Sequence, residues 1–317
     1  MASYVITGVS RGMGWEFLRR LSSDPNNTVI GIVRDKPPTA KRVSEELPRR
    51  SNVTILEADV TQYESLKVSQ ESFAKVEGER ADASSTRQRA SAEAAGVTGG
   101  RLDYLIANAG LNMSWDGLDP IGDLAAEPEK MSDYFGAMMN TNVLANINLY
   151  ASFLPLILRG KAKKVVHLTS ALGDVEFARD YELTLGSVYA ASKAAMNMVT
   201  AKFAAQYRGD GVLFLGVCPG VVDTGQFNDR KYLLALQRGK TNESFADRHR
   251  HLPAVTPEEM AKFAPMLQKW QAYAPDFKGP VSPDAAVTDV LAVIDKCSVE
   301  NGDSGANLSH FGNKQWL

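Results

Sequence analysis

Near its N-terminus the chain reads SYVITGVSRGMG, residues 3–14. The apolar run from Tyr4 to Ile6 predicts a short buried strand, and three glycines follow it before a helical pattern begins at Trp15. Glycines allow a tight turn and let the backbone come close to a pyrophosphate, and the next helix N-terminus offers unpaired N–H groups. This order predicts a dinucleotide site. A plain glycine loop is the alternative, because a glycine triplet alone is a weak signal.

Strand-like and helix-like segments alternate along the rest of the chain. Further strands are predicted at 28–33, 53–56, 102–107, 164–169, 212–217 and 306–309, and helices at 15–21, 40–47, 131–159, 188–207 and 284–297. Continuous apolar strands joined by helices indicate a parallel sheet buried on both faces, with right-handed crossovers. We therefore expect an α/β protein with one doubly wound parallel sheet (a Rossmann fold) in a single domain over residues 1–317.

Three stretches depart from this alternation. Residues 79–100 are rich in Ala, Ser, Arg and Gly and predict an extended helix end with a surface insertion. Residues 171–187 predict a long loop, and residues 225–281 predict a substrate-loop region with short helices. The last two follow carboxyl ends of strands, where open α/β sheets bind ligands, so we expect them to contact a substrate.

The end of the second strand indicates which dinucleotide would bind. NAD enzymes usually place an acidic side chain there, on the ribose 2′-hydroxyl. Here the strand ends in Val33-Arg34-Asp35. Arg34 has a planar, permanent charge suited to a 2′-phosphate, and Arg11 would stand on the other side of that phosphate. The pair favours NADP(H). Asp35 on the ribose, after a slight register shift, is the alternative, and solvated surface arginines are another.

Three further elements follow in a fixed order. Asn108-Ala109-Gly110 comes after the fourth strand, Ser170 at the end of the fifth, and Tyr189-Ala190-Ala191-Ser192-Lys193 opens the next helix. With the glycine turn, this order resembles the short-chain dehydrogenase/reductase family, in its NADP-type carbonyl reductase or ketoreductase branch, from Ser3 to Thr224. The resemblance implies a Rossmann fold and an NADPH-dependent, reversible reduction of a ketone or aldehyde by Ser170, Tyr189 and Lys193.

The chemistry of these residues agrees with that role. Tyr189 and Lys193 are four residues apart, so they share one face of a helix. A free tyrosine has a pKa of about 10. A nearby ammonium favours the phenolate, so we expect Lys193 to lower the pKa of Tyr189 toward a useful acid–base range. Ser170 would hydrogen-bond the substrate oxygen and orient it.

Other roles rest on the resemblance alone. Asn142 matches the family's helix asparagine, which holds a water in a proton relay, although Asn140, Asn146 and Asn148 lie close by. Lys193 would also hold the nicotinamide ribose. The implied cofactor-binding residues are Gly8, Ser10, Arg11, Gly12, Met13 and Gly14 in the turn, Arg34, Asp59 and Val60 beside the adenine, Asn108, Ala109 and Gly110, Tyr189 and Lys193, and Pro219, Gly220, Val222 and Thr224 beside the nicotinamide.

Composition bears on the class of protein and its compartment. The net charge of -2 gives no global case for binding nucleic acid or an anionic membrane. Two distant cysteines, Cys218 and Cys297, make no disulfide framework and fit a reducing compartment. No segment approaches the roughly 20 apolar residues of a membrane span, and no signal peptide is evident. We therefore expect a cytoplasmic protein.

Several site types are not expected. His249 and His251 have no cysteine or acidic partners at ligand spacing, so no metal is predicted, and His167 in a strand indicates a core histidine. No Gly-x-Ser-x-Gly turn supports hydrolase chemistry. Two alternatives to carbonyl reduction stay open. One is a non-redox isomerase, dehydratase or cyclase on the same scaffold, and the other is a cofactor-binding regulatory protein without turnover.

The expected partner is a small-molecule carbonyl substrate. Aromatic residues in the loops hint at an apolar ligand, although packing is their commoner role; they are Trp115, Phe177, Tyr181, Phe227 and Tyr232. The resemblance further implies a homodimer or homotetramer joined through the helices Met131–Arg159 and Val188–Tyr207.

Overall fold

The fold is built on one parallel sheet. The computed structural model describes residues 1–66, 90–114, 116–224, 265 and 268–317. The strands in these ranges are β1 (Ser3–Thr7), β2 (Thr28–Val33), β3 (Val53–Glu57), β4 (Tyr104–Ala107), β5 (Lys164–Leu168), β6 (Leu213–Cys218) and β7 (Asn307–Ser309). They pair in the order β3-β2-β1-β4-β5-β6-β7, all parallel. The chain winds one way from β1 to β3 and the other way from β4 to β7, so a crevice opens between β1 and β4.

Helices connect the strands. They are α1 (Gly12–Leu21), α2 (Lys36–Glu46), α3 (Tyr63–Leu66), α4 (Ala90–Thr98), α5 (Ile121–Leu124), α6 (Pro128–Met139), α7 (Ala145–Ile157), α8 (Val175–Asp180), α9 (Ser187–Tyr207) and α10 (Pro283–Lys296). A π-helical turn, Asn140–Leu144, joins α6 to α7, and 3₁₀ turns cover Ala171–Gly173 and Arg208–Asp210. In the described ranges, no helix is long and apolar enough to cross a bilayer.

Both faces of the sheet are covered. Helices α4, α7 and α9 pack on one face, around Tyr150 and Phe153, which are fully buried. Helices α1 and α10 pack on the other face, where Phe17 and Val290 are buried. Every residue of β6 is buried, as expected for a continuous apolar strand inside a parallel sheet. The predicted doubly wound α/β fold is therefore confirmed.

Several sequence-based boundaries were wrong, including that of the helix predicted over 40–47, which spans Lys36–Glu46. Helix α1 begins at Gly12 instead of Trp15, because the glycine turn itself forms the first helical turn. The helix predicted over 131–159 starts at Pro128, ends at Ile157 and is interrupted by the π turn. The loop predicted over 171–187 contains helix α8, whose N-cap Asp174 accepts a hydrogen bond from the N–H of Phe177 at 2.8 Å.

The predicted surface insertion at 79–100 is also wrong for its second part. Residues 90–98 form helix α4, and Ala90, Ala94 and Ala95 are buried against the sheet. Small side chains let this helix lie close to its neighbours, so its alanines signal close packing instead of a surface loop. Residues 79–89, and residues 225–264 of the predicted substrate-loop region, lie outside the described residues.

Asp103 links three segments at the end of the sheet opposite the crevice. Its carboxylate accepts hydrogen bonds from the backbone N–H of Ser3 at 2.9 Å, the Ser3 hydroxyl at 3.0 Å and the N–H of Lys161 at 2.7 Å. Burial alone would raise the pKa of Asp103, but these donors outweigh burial and lower it.

We expect Asp103→Ala to lower the free energy of unfolding by about 2–3 kcal/mol, since it leaves several donors unpaired. Because the folded pKa lies below the unfolded value of about 4, this stabilisation is present above about pH 4 and is lost as the pH falls further. Urea unfolding at pH 7 and pH 3 tests both points. An equal loss of stability at the two pH values would contradict the assignment.

Candidate active site

A cleft of about 1150 Å³ opens at the carboxyl ends of the strands. It brings together most of the residues that the sequence singled out, namely Gly8, Ser10, Arg11, Gly12, Met13, Arg34, Asp59, Val60, Asn108, Ala109, Gly110, Ser170, Tyr189, Lys193, Pro219, Gly220, Val222 and Thr224. Gly14 and Asn142 are the two predicted site residues that do not line it. The catalytic and cofactor candidates therefore share one cavity at the topological switch point.

The glycine turn fits a dinucleotide. Gly12 has φ of +57°, a backbone conformation that favours glycine. Gly14 allows a close approach, because a Cβ there would overlap the carbonyl oxygen of Gly8 and lie 2.6 Å from Nδ2 of Asn108. Among the described residues, no side chain caps the first turn of α1. The backbone N–H groups of that turn are thus left for an anion such as a pyrophosphate.

Asn108 ties the end of β4 to this turn. Its Nδ2 donates to the carbonyl oxygens of Thr7 at 2.9 Å and Gly8 at 3.3 Å. In return, Oγ1 of Thr7 accepts from the backbone N–H groups of Asn108 at 3.1 Å and Ala109 at 3.0 Å. Asn108 thus fixes the backbone after β4 to the backbone of the glycine turn, and both line the cleft.

The end of β2 presents arginine to the cleft. Arg34 and Arg11 are both exposed and both line it, whereas Asp35 is the N-cap of α2 and does not. Arg42 also lies here and was missed by sequence reasoning. Its Nη1 donates to the carbonyl oxygen of Ser10 at 3.2 Å.

Arg42 is held in place by two further contacts. Its guanidinium lies 3.9 Å from the centroid of the Trp15 ring, and its Nε donates to Glu46 at 2.8 Å. No sequence motif marked Arg42, because helix α2 only reaches the glycine turn after the chain folds back on itself. The arrangement places a third guanidinium beside the glycine turn, although Arg42 does not line the cleft.

The wall of the cleft formed by residues 219–224 is held in place by contacts to later parts of the chain. Asp223 donates its N–H to the carbonyl oxygen of Val281, and Val281 donates to that of Val221, both at 2.9 Å. Gly220 has φ of +76°, and a Cβ there would lie 2.9 Å from Cε1 of His310. The segment from Pro219 to Thr224 is therefore fixed against two later parts of the chain.

Ser170, Tyr189 and Lys193 meet in the middle of the cleft. Strand β5 ends at Leu168, two residues before Ser170, whose Oγ accepts from the N–H of Leu172 at 3.3 Å and whose side chain faces Tyr189. Tyr189 and Lys193 lie one turn apart on α9, with Nζ of Lys193 5.5 Å from the centroid of the tyrosine ring. The Nζ donates to the carbonyl oxygen of Leu168 at 2.8 Å.

The pKa of Tyr189 is shifted in the direction opposite to the one expected from the sequence. Burial raises the pKa of Tyr189 above its usual range. The Ser170 side chain lowers it, and Cys218 and Asp116 raise it further. Burial also lowers the pKa of Lys193 to about 8. The expectation that Lys193 lowers the pKa of Tyr189 was therefore wrong for this arrangement. The ammonium is directed at the Leu168 carbonyl, and removal from water disfavours the charge on both groups.

Asn142 occupies the π turn between α6 and α7 and is buried. Its Oδ1 accepts from the N–H of Leu111 at 2.7 Å, and its Nδ2 donates to the Leu111 carbonyl at 3.0 Å and to Oγ of Ser192 at 2.9 Å. Asn142 thus links the segment after β4 to the catalytic helix. Single π turns are frequent at functional sites.

Large apolar side chains form the far end of the cleft. Trp270, Trp316 and Leu317 line it and were missed, because nothing in the sequence shows that the C-terminal segment returns to this edge of the sheet. Phe177 lines it as expected, and Tyr181 packs on Phe177. The other aromatic candidates, Trp115, Phe227 and Tyr232, lie outside the described residues, as do His249 and His251.

Two residues have the structural roles expected of them. His167 is buried, and its ring nitrogens lie 3.3 Å from Oδ1 of Asn197 and 3.1 Å from Oγ1 of Thr200. Burial lowers its pKa to about 3, so it stays neutral. Cys218 is a free, buried thiol, and burial raises its pKa. The prediction of a core histidine is confirmed, and Cys218 is likewise a packing residue with no raised reactivity.

The chain is similar to known proteins over its whole length. A short chain dehydrogenase family model matches residues 66–232, just over half of the 317 residues. Short chain dehydrogenase virK of Hypocrea virens is 43% identical, and short-chain dehydrogenase/reductase iacC of Pestalotiopsis fici is 38% identical, each with 100% of both chains covered. The NADPH-bound carbonyl reductase from chicken fatty liver has a TM-score of 0.65 at 21% identity, covering 99% of this chain and 98% of that one. On this evidence, the chain belongs to the short-chain dehydrogenase/reductase family.

Proposed function

We propose that this oxidoreductase reduces a ketone or aldehyde with NADPH, reversibly. When bound, the cofactor supplies the hydride for the carbonyl carbon. Tyr189 donates a proton to the carbonyl oxygen, and Ser170 holds that oxygen by a hydrogen bond. The observation that carries the proposal is that Ser170, Tyr189 and Lys193 line the same cleft as the glycine turn.

The raised pKa keeps Tyr189 protonated at neutral pH, as reduction requires, and it also makes the phenol a weaker acid. A phenol that keeps its proton at neutral pH is ready to donate it to a developing alkoxide. Lys193 stands one turn away with a pKa near neutrality, so it can carry positive charge beside the reacting oxygen and hold the nicotinamide ribose. Asn142, which contacts Ser192 on the same helix, is proposed to support a proton relay from this end of the site.

NADP(H) is the proposed cofactor. Arg11 and Arg34 line the cleft near the end of β2, and Asp35 does not, which favours a 2′-phosphate over a free ribose hydroxyl. Solved relatives in complexes with NADP(H), such as the chicken carbonyl reductase, agree with this choice.

The first test is turnover with a panel of aromatic and aliphatic ketones, following the absorbance of NADPH or NADH. We expect NADPH oxidation with a strong preference over NADH. NADH preference would instead place Asp35 on the ribose. Conversion of a substrate without cofactor consumption would favour an isomerase, dehydratase or cyclase, and tight NADPH binding with no conversion at all would favour a regulatory protein.

We also propose a homodimer or homotetramer joined through α6, α7 and α9. These helices and the π turn between α6 and α7 leave Phe135, Leu144 and Met198 exposed to 42%, 50% and 61%. Met198→Arg would place a charge in such an interface, so we expect it to reduce the molar mass measured by size-exclusion chromatography with light scattering. Asp210→Arg, an exposed change beyond α9, is the control. A wild-type monomer at micromolar concentration would rule the assembly out.

A further inference from the structure

Asp116 is a fully buried carboxylate in the loop between β4 and α5. Its Oδ2 accepts the backbone N–H of Tyr189 at 2.9 Å, and its Oδ1 accepts the Tyr134 hydroxyl at 2.6 Å and the N–H of Ser114 at 3.3 Å. Its backbone carbonyl accepts the N–H of Gly186 at 2.8 Å. One residue thus contacts helix α6, the start of α9 and its own loop.

The start of the catalytic helix explains why such a residue is present. Helix α9 begins at Ser187, and its N-cap is Gly186, with φ of +58°. An N-cap side chain normally accepts the N–H of the second or third helical residue, but glycine has none to offer. Tyr189 is the third helical residue of α9, and Asp116 accepts its N–H from a loop 73 residues earlier.

Burial of this charge is costly unless hydrogen bonds compensate it. Asp116 has such bonds from a tyrosine hydroxyl and backbone N–H groups, and its negative charge lies at the positive end of the α9 dipole. All of these interactions converge on the turn of helix that carries Tyr189. No described side chain of α9 itself caps that turn.

We propose that Asp116 is the positioning residue for Tyr189: it fixes the first turn of α9, and with it the phenol, against Ser170. This inference rests on the proposed role of Tyr189 as proton donor. Small displacements of a catalytic group are enough to cost about 100-fold in rate, so a cap on this turn bears directly on turnover.

The carboxylate also acts on the acidity of the phenol. The groups that face Tyr189 are Lys193 on its own helix, Ser170 after β5, Cys218 at the end of β6, and Asp116. A negative charge at Asp116 disfavours the phenolate. Removing that charge lowers the pKa of Tyr189. Because reduction needs the protonated phenol, activity falls as pH rises through that pKa, so the alkaline limb moves to lower pH.

The test compares Asp116→Ala, Asp116→Asn and Asp103→Ala. We expect Asp116→Ala to lower kcat about 10- to 100-fold with the Kd for NADPH unchanged. Asp116→Asn keeps an acceptor for the Tyr189 N–H, so it restores most of kcat while its alkaline limb lies at lower pH than in the wild type. Asp103→Ala is the control, because it removes a carboxylate that accepts several backbone N–H groups far from the cleft. We expect this variant to be less stable than the wild type and to have the same kcat.

A second readout does not depend on activity. An ultraviolet difference titration of each protein against its Tyr189→Phe counterpart reports the phenol of Tyr189 alone. We expect a lower midpoint in Asp116→Asn. An unchanged midpoint, or wild-type kcat in a folded Asp116→Ala, overturns the inference. Should Asp116→Ala fail to fold, the titration of Asp116→Asn decides. Failure of the proposed function shows separately, as a wild type that oxidises no NADPH with any carbonyl, and the titration still decides the role of Asp116.

Discussion

Tyr189→Phe is expected to lower kcat for carbonyl reduction by about 10²–10⁴-fold, the range for loss of a general acid. The substitution removes only the hydroxyl, which faces Ser170. The ring keeps its packing against Leu172 and Trp270, so the fold and the cleft are retained. The Kd for NADPH, measured by fluorescence, should change by less than about threefold, which corresponds to under about 0.7 kcal/mol.

A matched control is available in Tyr104→Phe. Tyr104 is a partly buried tyrosine on β4 that stacks on Tyr4, with ring centroids 4.6 Å apart, at the end of the strand away from the cleft. Its loss of a hydroxyl should leave kcat unchanged. Normal turnover in Tyr189→Phe would remove Tyr189 as the proton donor, and loss of NADPH binding would mean that the substitution disturbs the cofactor site.

Replacement of Arg11 and Arg34 together by alanine is expected to abolish the preference for NADPH. A hydrogen bond to a charged group contributes about 1.5–3 kcal/mol, so two contacts to one phosphate correspond to at least about a 100-fold rise in the Kd for NADPH. The Kd for NADH should stay within a few-fold, since it has no 2′-phosphate. Both arginines are exposed, so the fold should be unaffected.

Arg208→Ala is the control for this pair, as an exposed arginine after the end of α9. It should leave both dissociation constants unchanged. If the double variant keeps a strong NADPH preference, the remaining guanidinium at Arg42, 3.2 Å from the Ser10 carbonyl, becomes the phosphate ligand to test. If the wild type already prefers NADH, the assignment of both arginines is wrong.

Much of the fold could be predicted because its strands are short, apolar and buried on both faces. Strand β2 was predicted with its observed ends, Thr28–Val33, since Asn26-Asn27 and Arg34-Asp35 bound the apolar run. The glycine turn was predictable because only glycine permits the backbone of Gly12 and the approach at Gly14. The catalytic pair was predictable because a spacing of four places both side chains on one helix face.

The missed features depend on contacts between distant segments. The buried alanines of α4 resemble a low-complexity surface segment until the sheet packs against them. Asp116 accepts an N–H from a helix that begins far along the chain, and Trp316 reaches the cleft only because β7 returns the C-terminal segment to it. The pKa of Tyr189 was predicted in the wrong direction. The helical spacing indicates that Lys193 is close to Tyr189, but it does not indicate that Tyr189 is buried, and burial raises its pKa.

The central claim is direct hydride transfer to a carbonyl carbon at this site. It is tested most directly with NADPH deuterated at the transferable C4 position and a ketone that the enzyme converts, followed by mass spectrometry and NMR of the product. We expect an alcohol with one deuterium on the carbinol carbon for each NADPH oxidised, and the same product from Tyr189→Phe at a rate about 10²–10⁴-fold lower. A converted product without deuterium, with the cofactor intact, would contradict it and place the reaction among the non-redox chemistries of this fold.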